Sequence, residues 1–186
     1  MEIIIETERV ILRRFVMEDA EDVLEFNSNP EVIRYTGDRL LHTLDEAKDC
    51  ITNVWLNDYE KYGYGRFAVW YKPDNRVIGF AGLKYLPEFG ETDIGYRILP
   101  EYWGKGITSE MAPPLLKYGF EELGLKRIIG LTMIANEASS RVLQKCGLKF
   151  YQQAPYLDEP ELVNWYAIDF ADFQKRSIFD ENKTSE

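Results

Sequence analysis

The chain has 186 residues, of which 45% are hydrophobic and 29% are charged, a balance typical of one soluble globular domain. Its 22 Lys and Arg against 32 Asp and Glu give a net charge of −10, which disfavours binding to the phosphate backbone of nucleic acids. The apolar runs are too short for a membrane-spanning helix, and the opening MEIIIETER lacks the features of a signal peptide. We therefore expect a cytoplasmic protein with no nucleic-acid or membrane partner. Two cysteines and one histidine make neither a disulfide framework nor a metal site.

The first part of the chain predicts a strand followed by two helices. ETERVILRRF is rich in β-branched and apolar residues and predicts a strand, and MEDAEDVLEF predicts a helix whose acidic first turn suits the positive helix end. Asn29 and Pro30 end this helix, and a loop is expected over residues 35–41. Thr43 and Glu46 have the spacing of a capping box, and apolar residues then recur at helical spacing as far as Tyr59.

The rest of the chain predicts further strands separated by helices. GRFAVWY and RVIGFAGLKY, joined by KPDN, predict a β-hairpin, and TDIGYRIL, RIIGLTM, LKFYQQA and LVNWYAID predict additional strands. One helix is expected to end near Leu123, with Pro113 and Pro114 kinking it or loosening its middle, and another to run from Asn136 to Gly147. This order predicts an α/β fold, in the form of an α+β mixed sheet with helices on both faces. We expect a single domain over residues 1–180 and a frayed tail over residues 181–186.

The segment Ile94–Glu110, IGYRILPEYWGKGITSE, is the most informative for function. A strand enters a glycine-containing turn that opens a helix, so unpaired main-chain N–H groups and the positive helix end point outwards together and can bind phosphate. Gly104 and Gly106 would let the main chain approach an anion, and Lys105 would add charge; alternatively, the glycines only make a tight turn. A Walker A loop is excluded because Gly106 follows Lys105, and a dinucleotide fingerprint because Ser109 stands where a third glycine is needed.

This segment, together with NEASSRVLQKCGLKF and the opening ETERVILRRF, resembles the GNAT superfamily of N-acetyltransferases. Within it, the chain resembles the branch of ribosomal-protein-alanine N-acetyltransferases, and the likeness extends from about Glu6 to Ile168. The resemblance implies the GNAT-like acyl-CoA N-acyltransferase fold, with a mostly antiparallel central sheet that is splayed at the cofactor site. It also implies that acetyl-CoA is the co-substrate and that a primary amine attacks it directly in a ternary complex, without a metal.

The resemblance places the cofactor contacts on particular positions. The pantetheine arm would pair with the main chain of Ile98 and Leu99, and Asn136, at the start of the next helix, would hydrogen-bond the same arm with Ser139 beside it. The family's pyrophosphate loop falls on Trp103, Gly104, Lys105, Gly106, Ile107 and Thr108. Thr108 departs slightly from the Gly or Ala of the family pattern, but the contacts are made mainly by the main chain.

The acid that many family members use is absent. They have a tyrosine seven residues after the asparagine, where this chain has Leu143, which has no proton to give. Ser139 matches a serine of the ribosomal-protein branch and is the candidate acid for the departing thiolate, against the alternative that it only caps or solvates the first turn of the helix. Cys146 and water are the other candidate donors.

Two carboxylates precede the phosphate loop on the same predicted strand. Asp93 matches an acidic residue that many family members place there, and Glu91 lies two residues earlier, so both side chains are expected on one face. We assign both to the catalytic set, with Asp93 as a base acting through water, against the alternative of exposed strand-end carboxylates. The main-chain N–H around Ile98 is the expected donor to the oxyanion.

The acceptor amine must be neutral to attack a thioester. At pH 7 roughly one in 2,500 lysine side chains is neutral, against about one in seven α-amines, so an α-amine makes weaker demands on a base. The leading hypothesis is therefore a protein N-terminus. The alternatives are a small amine such as a polyamine, aminoglycoside or amino-acid analogue, for which the loop over residues 28–43 would shape the pocket, and a non-catalytic acyl-CoA-binding module, which Leu143 would suit. The protein is expected to be a monomer or a homodimer.

Overall fold

The computed structural model describes residues 2–157 and 159–183, and an eight-stranded sheet forms its centre. The strand order is β1-β2-β3-β4-β5-β6-β8-β7, and β5 and β6 are the one parallel pair in this sheet. The mixed, mostly antiparallel sheet predicted from the sequence is confirmed. The strands are β1 (Ile3–Glu6), β2 (Val10–Arg13), β3 (Arg66–Tyr71), β4 (Arg76–Leu86), β5 (Glu91–Ile98), β6 (Arg127–Met133), β7 (Lys149–Pro155) and β8 (Leu162–Asp169).

Helices cover both faces of the sheet. Adjacent residues of β5 point to opposite faces, and here Tyr96 bonds to α6 whereas Arg97 bonds to α1. Within the described residues, no helix combines the length and the apolar character needed to cross a membrane. The helices are α1 (Ala20–Ser28), α2 (Pro30–Ile33), α3 (Leu44–Cys50), α4 (Asn57–Tyr62), α5 (Ile107–Lys117), α6 (Glu137–Lys145) and α7 (Phe170–Lys183).

The second predicted helix is confirmed, as α3 and α4 joined by a π-helical turn at Ile51–Leu56. Its capping box is present, because the Thr43 hydroxyl accepts the N–H of Glu46 at 3.2 Å and the Glu46 carboxylate accepts the N–H of Thr43 at 3.2 Å. The buried Trp55 ring stacks on Phe15, with 3.9 Å between ring centroids, and lies 6.0 Å from the ring of Phe80 in β4, so aromatic packing fixes this helix to the sheet.

Two elements at the ends of the chain were not predicted. The opening segment forms two antiparallel strands, β1 and β2, because the chain turns at residues 7–9. After β8 the chain forms α7, and Phe170 and Phe173 pack against Phe120 at 5.7 and 4.9 Å between ring centroids. The helix runs into the segment expected to be frayed, and residues 184–186 lie outside the described part of the chain.

The sheet opens between its two central strands. β4 pairs with β5 from Glu91 to Ile98, whereas the parallel ladder between β5 and β6 joins them at Asp93 and Ile129. Beyond this pair both strands continue, so their facing edges separate. We call the gap between residues 94–98 of β5 and 130–133 of β6 the splay; it confirms the predicted opening of the sheet.

The helix that follows the phosphate loop does not break at its prolines. α5 remains α-helical through Pro113 and Pro114, and it changes to a π-helical turn only at Tyr118–Glu122. Each proline removes the donor for a carbonyl four residues earlier, so the carbonyls that lose a partner are those of Ser109 and Glu110 in the first turn. The two prolines therefore do not interrupt the middle of α5.

Candidate active site

The turn after β5 presents main-chain donors at the start of α5. Gly104 and Gly106 adopt left-handed φ angles of 71° and 75°, which residues with a Cβ rarely adopt. The first α-helical hydrogen bond runs from the N–H of Glu110 to the carbonyl of Gly106 at 3.0 Å, so the N–H groups of residues 107–109 have no partner within the helix. These donors and the positive helix end fit a diphosphate.

The side chains of this loop leave its main chain accessible. A Cβ at Gly104 would meet no atom within 4 Å, and Lys105 lies at the surface with its Nζ 5.4 Å from the Tyr102 ring. The Trp103 indole N–H donates to the carbonyl of Ile98 at 2.8 Å, which holds the turn against the strand end. Ile107 is buried and anchors the helix, and Thr108 beside it is half-buried.

The β1–β2 turn fixes the phosphate loop, through contacts that the sequence analysis did not predict. Arg9 donates from Nη1 to the carbonyl of Lys105 at 2.8 Å and from Nε to the Glu110 carboxylate at 2.6 Å. Glu110 also accepts from the Thr7 hydroxyl at 2.6 Å and from the N–H of Arg9 at 2.9 Å. Burial opposes ionisation of Glu110, but the hydrogen bonds from Thr7 and Arg9 outweigh it and lower its pKa. We call Thr7, Arg9 and Glu110 the Arg9 cluster.

The hydrogen bonds of β5 show which main-chain groups face the splay. Leu99 donates its N–H to the carbonyl of Ile78 in β4 at 2.9 Å. Because successive residues of a strand direct their N–H and C=O groups to opposite sides, those of Ile98 and Tyr96 point towards the splay. Of the two residues expected at the pantetheine arm, Ile98 therefore faces the open edge, whereas the N–H of Leu99 is engaged with β4.

Asn136 and Ser139 lie at the start of α6. Asn136 is the N-cap, and its Oδ1 accepts the N–H of Ser139 at 3.1 Å, which leaves the side-chain NH₂ group to donate elsewhere. The capping role considered for Ser139 is thus filled by Asn136. The Ser139 hydroxyl instead donates to the phenol oxygen of Tyr96 at 3.1 Å, so it lies on the side of α6 that faces β5.

Tyr96 is a functional candidate that sequence reasoning missed. Its hydroxyl donates to the main-chain carbonyl of Ser139 at 3.1 Å and accepts from the Ser139 hydroxyl, so two residues 43 positions apart are joined twice. Burial raises the pKa of Tyr96 far above its ordinary value, and the phenol stays protonated at neutral pH. Only the alternation of β5 could have indicated that this side chain turns towards the next helix.

The residue in the place of the family's tyrosine belongs to the core. Leu143 is 1% exposed and packs against Gly130 of β6, where an added Cβ would lie 2.7 Å from its Cδ1 atom. Cys146, at the end of α6, is buried, and burial raises the pKa of its thiol to about 11. The thiol is therefore protonated at neutral pH.

Asp93 is buried on the face of β5 opposite to Tyr96. Its carboxylate forms an ion pair with Arg66 of β3 and accepts the N–H of Leu131 in β6 at 3.3 Å. Burial raises the pKa of Asp93, and the Arg66 guanidinium opposes the rise. Each carboxylate oxygen can accept more than one hydrogen bond, so the bonds from Arg66 and Leu131 leave acceptor capacity for a further donor.

Glu91 shares the face of Asp93, as strand alternation predicts. Its side chain is 30% exposed, and Oε1 lies 3.5 Å from Nε of Arg127 at the start of β6. The pair lies at the end of β5 that is still joined to β6, and Asp93 lies closer to the splay.

The face of the sheet that carries Asp93 bears charges of both signs. Arg97 donates to Asn27 of α1 at 2.8 Å and pairs with Asp38, which places part of the loop over residues 28–43 on this face. Lys84, the cross-strand neighbour of Asp93, lines a cleft of about 230 Å³ together with Asp58 and Tyr156. Burial raises the pKa of Asp58, against the opposing charge of Lys84, and its Oδ2 has no hydrogen-bond partner among the described residues.

Known proteins are similar to this chain in sequence and in fold. Residues 9–149 match the model of the acetyltransferase (GNAT) domain. The uncharacterized N-acetyltransferase YoaA of Bacillus subtilis is 36% identical over 147 residues, which cover 78% of this chain and 82% of that protein.

Two solved structures with bound coenzyme A have the same fold. RimL, a ribosomal L7/L12 alpha-N-protein acetyltransferase, matches with a TM-score of 0.77 and 19% identity, over 92% of this chain and 99% of that one. Spermidine N-acetyltransferase from Vibrio cholerae, solved with CoA and spermine, matches with a TM-score of 0.73 and 18% identity, over 90% and 99% of the two chains. Because the family match spans the splay and the phosphate loop, the chain belongs to the GNAT family and is an N-acetyltransferase that uses acetyl-CoA as its co-substrate.

Proposed function

We propose that the chain transfers the acetyl group of acetyl-CoA to the α-amine of a protein N-terminus by direct attack in a ternary complex. The placement of two groups on opposite faces of β5 carries the proposal: the buried carboxylate of Asp93 on one, and the hydroxyl of Ser139 reaching Tyr96 on the other. A thioester lying in the splay would then meet the amine on the Asp93 side and release its sulfur on the Ser139 side.

The co-substrate would be held mainly by main-chain groups. The N–H groups of residues 107–109, which have no partner within α5, suit its diphosphate, and Lys105 adds a positive charge. Trp103, Ile107 and Thr108 shape this loop. Along the splay, the Ile98 carbonyl, which already accepts the Trp103 indole N–H, can accept a second hydrogen bond from the pantetheine arm. Leu99 continues the strand edge, and the NH₂ group of Asn136 donates from the facing helix.

The chemistry needs a base, a donor to the oxyanion and a donor to the thiolate. Asp93 takes the amine proton through water, and burial, which raises its pKa, makes it a better proton acceptor. Glu91 is the alternative base. The N–H of Ile98 stabilises the oxyanion, and the Ser139 hydroxyl meets the departing sulfur, with Cys146 and water as rival donors.

The mixed charge of the acceptor face supports a peptide acceptor over a polyamine. Arg97 and Lys84 stand on the same face as Asp38 and Asp58, so a polycation would meet cations as well as carboxylates. The structural matches do not choose between the two, because one is a protein N-terminal acetyltransferase and the other acetylates spermidine. The observation that favours the second candidate, a small amine, is the buried Oδ2 of Asp58, which has no partner in the described part of the chain and could accept from an ammonium group.

Release of the CoA thiol, measured with a panel of amines, tests this proposal. The panel contains peptides that begin with Ala, Ser or Thr, the same peptides with a blocked N-terminus and one internal lysine, and spermidine. We expect thiol release with the free peptides and none with the blocked ones. Turnover with spermidine alone would assign the protein to the small-amine acetyltransferases, and CoA binding without release by any amine would favour the non-catalytic module.

A further inference from the structure

We infer that Tyr96 is a positioning residue for the departing thiolate and that it acts through the Ser139 hydroxyl. The paired hydrogen bonds between these two residues carry the inference. It rests on the proposed function, in which Ser139 donates to the sulfur, and it adds a residue from a different strand to the leaving-group side of the site.

The two serines at the start of α6 bond to opposite walls of the splay. Ser140 shares a hydrogen bond of 3.0 Å with the Thr132 hydroxyl in β6, whereas Ser139 bonds to Tyr96 in β5. Ser140 is therefore tied to the strand on which α6 packs. Leu143, one turn later, is a core residue. Ser139 is the hydroxyl of this turn that reaches the edge of β5, and Tyr96 sets its position.

The geometry lets the Tyr96 proton serve two acceptors without movement of heavy atoms. The phenol oxygen lies 3.1 Å from the Ser139 carbonyl oxygen and 3.1 Å from the Ser139 hydroxyl oxygen. In the resting arrangement the phenol donates to the carbonyl and accepts from the hydroxyl. When the Ser139 proton turns away, the phenol proton can turn onto the hydroxyl oxygen, since hydroxyl protons rotate to suit their acceptors.

This exchange matches the charge that develops in the reaction. The amine nitrogen bonds to the acyl carbon, the C–S bond breaks, and its electron pair remains on sulfur. Ser139 then donates to the sulfur, and Tyr96 donates to Ser139, which strengthens the first hydrogen bond because such chains polarise one another. The amine proton leaves through Asp93 and water, and the thiolate takes a proton from solvent as CoA is released.

The test compares Tyr96→Phe and Ser139→Ala, alone and together, with a matched tyrosine variant. Tyr64→Phe is the control, because Tyr64 is also buried and its hydroxyl lies 2.7 Å from the hydroxyl of Thr92, which belongs to β5 like Tyr96. The kcat, the KM for acetyl-CoA and the midpoint of urea unfolding are measured with any amine that the wild-type chain acetylates. A wrong assignment of the acceptor therefore leaves this experiment intact.

We expect Tyr96→Phe to lower kcat at least tenfold with the KM for acetyl-CoA within about twofold of wild type. In the Ser139→Ala background the same change should lower kcat less than twofold, because Tyr96 acts only through Ser139. Tyr64→Phe should shift the unfolding midpoint about as much as Tyr96→Phe does, but it should leave kcat unchanged. The inference would be overturned if Tyr96→Phe kept the wild-type kcat. It would also be overturned if the fold-loss of kcat in the double variant equalled the product of the losses in the two single variants.

Discussion

The carboxylate of Asp93 accepts the main-chain N–H of Leu131 at 3.3 Å, across the point where the ladder between β5 and β6 stops. A side chain thus continues the connection between two strands whose main chains separate. Arg66 holds the same carboxylate from β3. The proposed base therefore also fixes the edge of the splay, and its chemical and structural contributions can be measured separately.

Asp93→Asn should reduce kcat by about 100-fold, because the amide cannot take a proton. The amide oxygen can still accept from Leu131, so the splay is retained. The free energy of unfolding should fall by about 3 kcal/mol, since the buried Arg66 loses its counter-charge. Rates across the pH range and urea unfolding provide the two measurements.

Glu91→Gln is the matched variant for this experiment. It removes a carboxylate from the same face of β5, but from a partly exposed pair with Arg127, so stability should change by less than about 1 kcal/mol. The fall in kcat should be much smaller than in Asp93→Asn. The opposite ranking would assign the base to Glu91.

Gly106→Ala should weaken acetyl-CoA binding, because alanine disfavours the left-handed φ of 75° that aims the loop amides. Gly124→Ala is the control: Gly124 has a φ of 67°, and an added Cβ there meets no atom within 4 Å. Both variants should lose about 1 kcal/mol of stability. Calorimetry should detect weaker acetyl-CoA binding only in Gly106→Ala, and equal affinities in both would argue against a phosphate site here.

Arg9→Ala should raise the Kd for acetyl-CoA about tenfold, because the phosphate loop loses its hydrogen bond at the Lys105 carbonyl. The kcat at saturating acetyl-CoA should stay near that of wild type. Arg14→Ala is a suitable control, as Arg14 pairs with the exposed Glu2. An unchanged Kd in Arg9→Ala would show that the loop holds its shape without the Arg9 cluster.

The stabilisation from Glu110 should depend on pH. Its pKa is lowered in the folded chain, so the stabilisation is present above the unfolded value of about 4.3 and is lost as the pH falls through the folded value. At pH 7, Glu110→Gln should cost about 1–3 kcal/mol, and the difference from wild type should shrink below about pH 4. Urea unfolding of wild type and Glu110→Gln at pH 7 and below about pH 4 measures this difference. A difference independent of pH would mean that Thr7 and Arg9 do not bind the ionised form of Glu110.

Local signals sufficed for some parts of the site and not for others. The turn at Gly104 and Gly106, the Thr43 capping box and the start of α6 at Asn136 depend on neighbouring residues, and these local structures are present as predicted. Phosphate binding at the turn stays a prediction. The Arg9 cluster and the contact between Tyr96 and Ser139 depend on partners 43 to 103 positions away. No periodic pattern in the sequence predicts such contacts, because only the folded sheet brings these side chains together. β1 was missed since its apolar run is only three residues long before polar residues 6–9, and α7 since no element was predicted between LVNWYAID and the expected tail.

The proposed mechanism requires that the turn at Gly104 and Gly106 binds the diphosphate of acetyl-CoA and that the thioester lies in the splay. A crystal structure of this chain with coenzyme A would locate both groups. We expect phosphate oxygens within hydrogen-bonding distance of the N–H groups of residues 104–108, and the thiol between Ile98 and Ser139. Coenzyme A bound with its diphosphate away from this turn would show that the phosphate site and the reacting centre lie elsewhere.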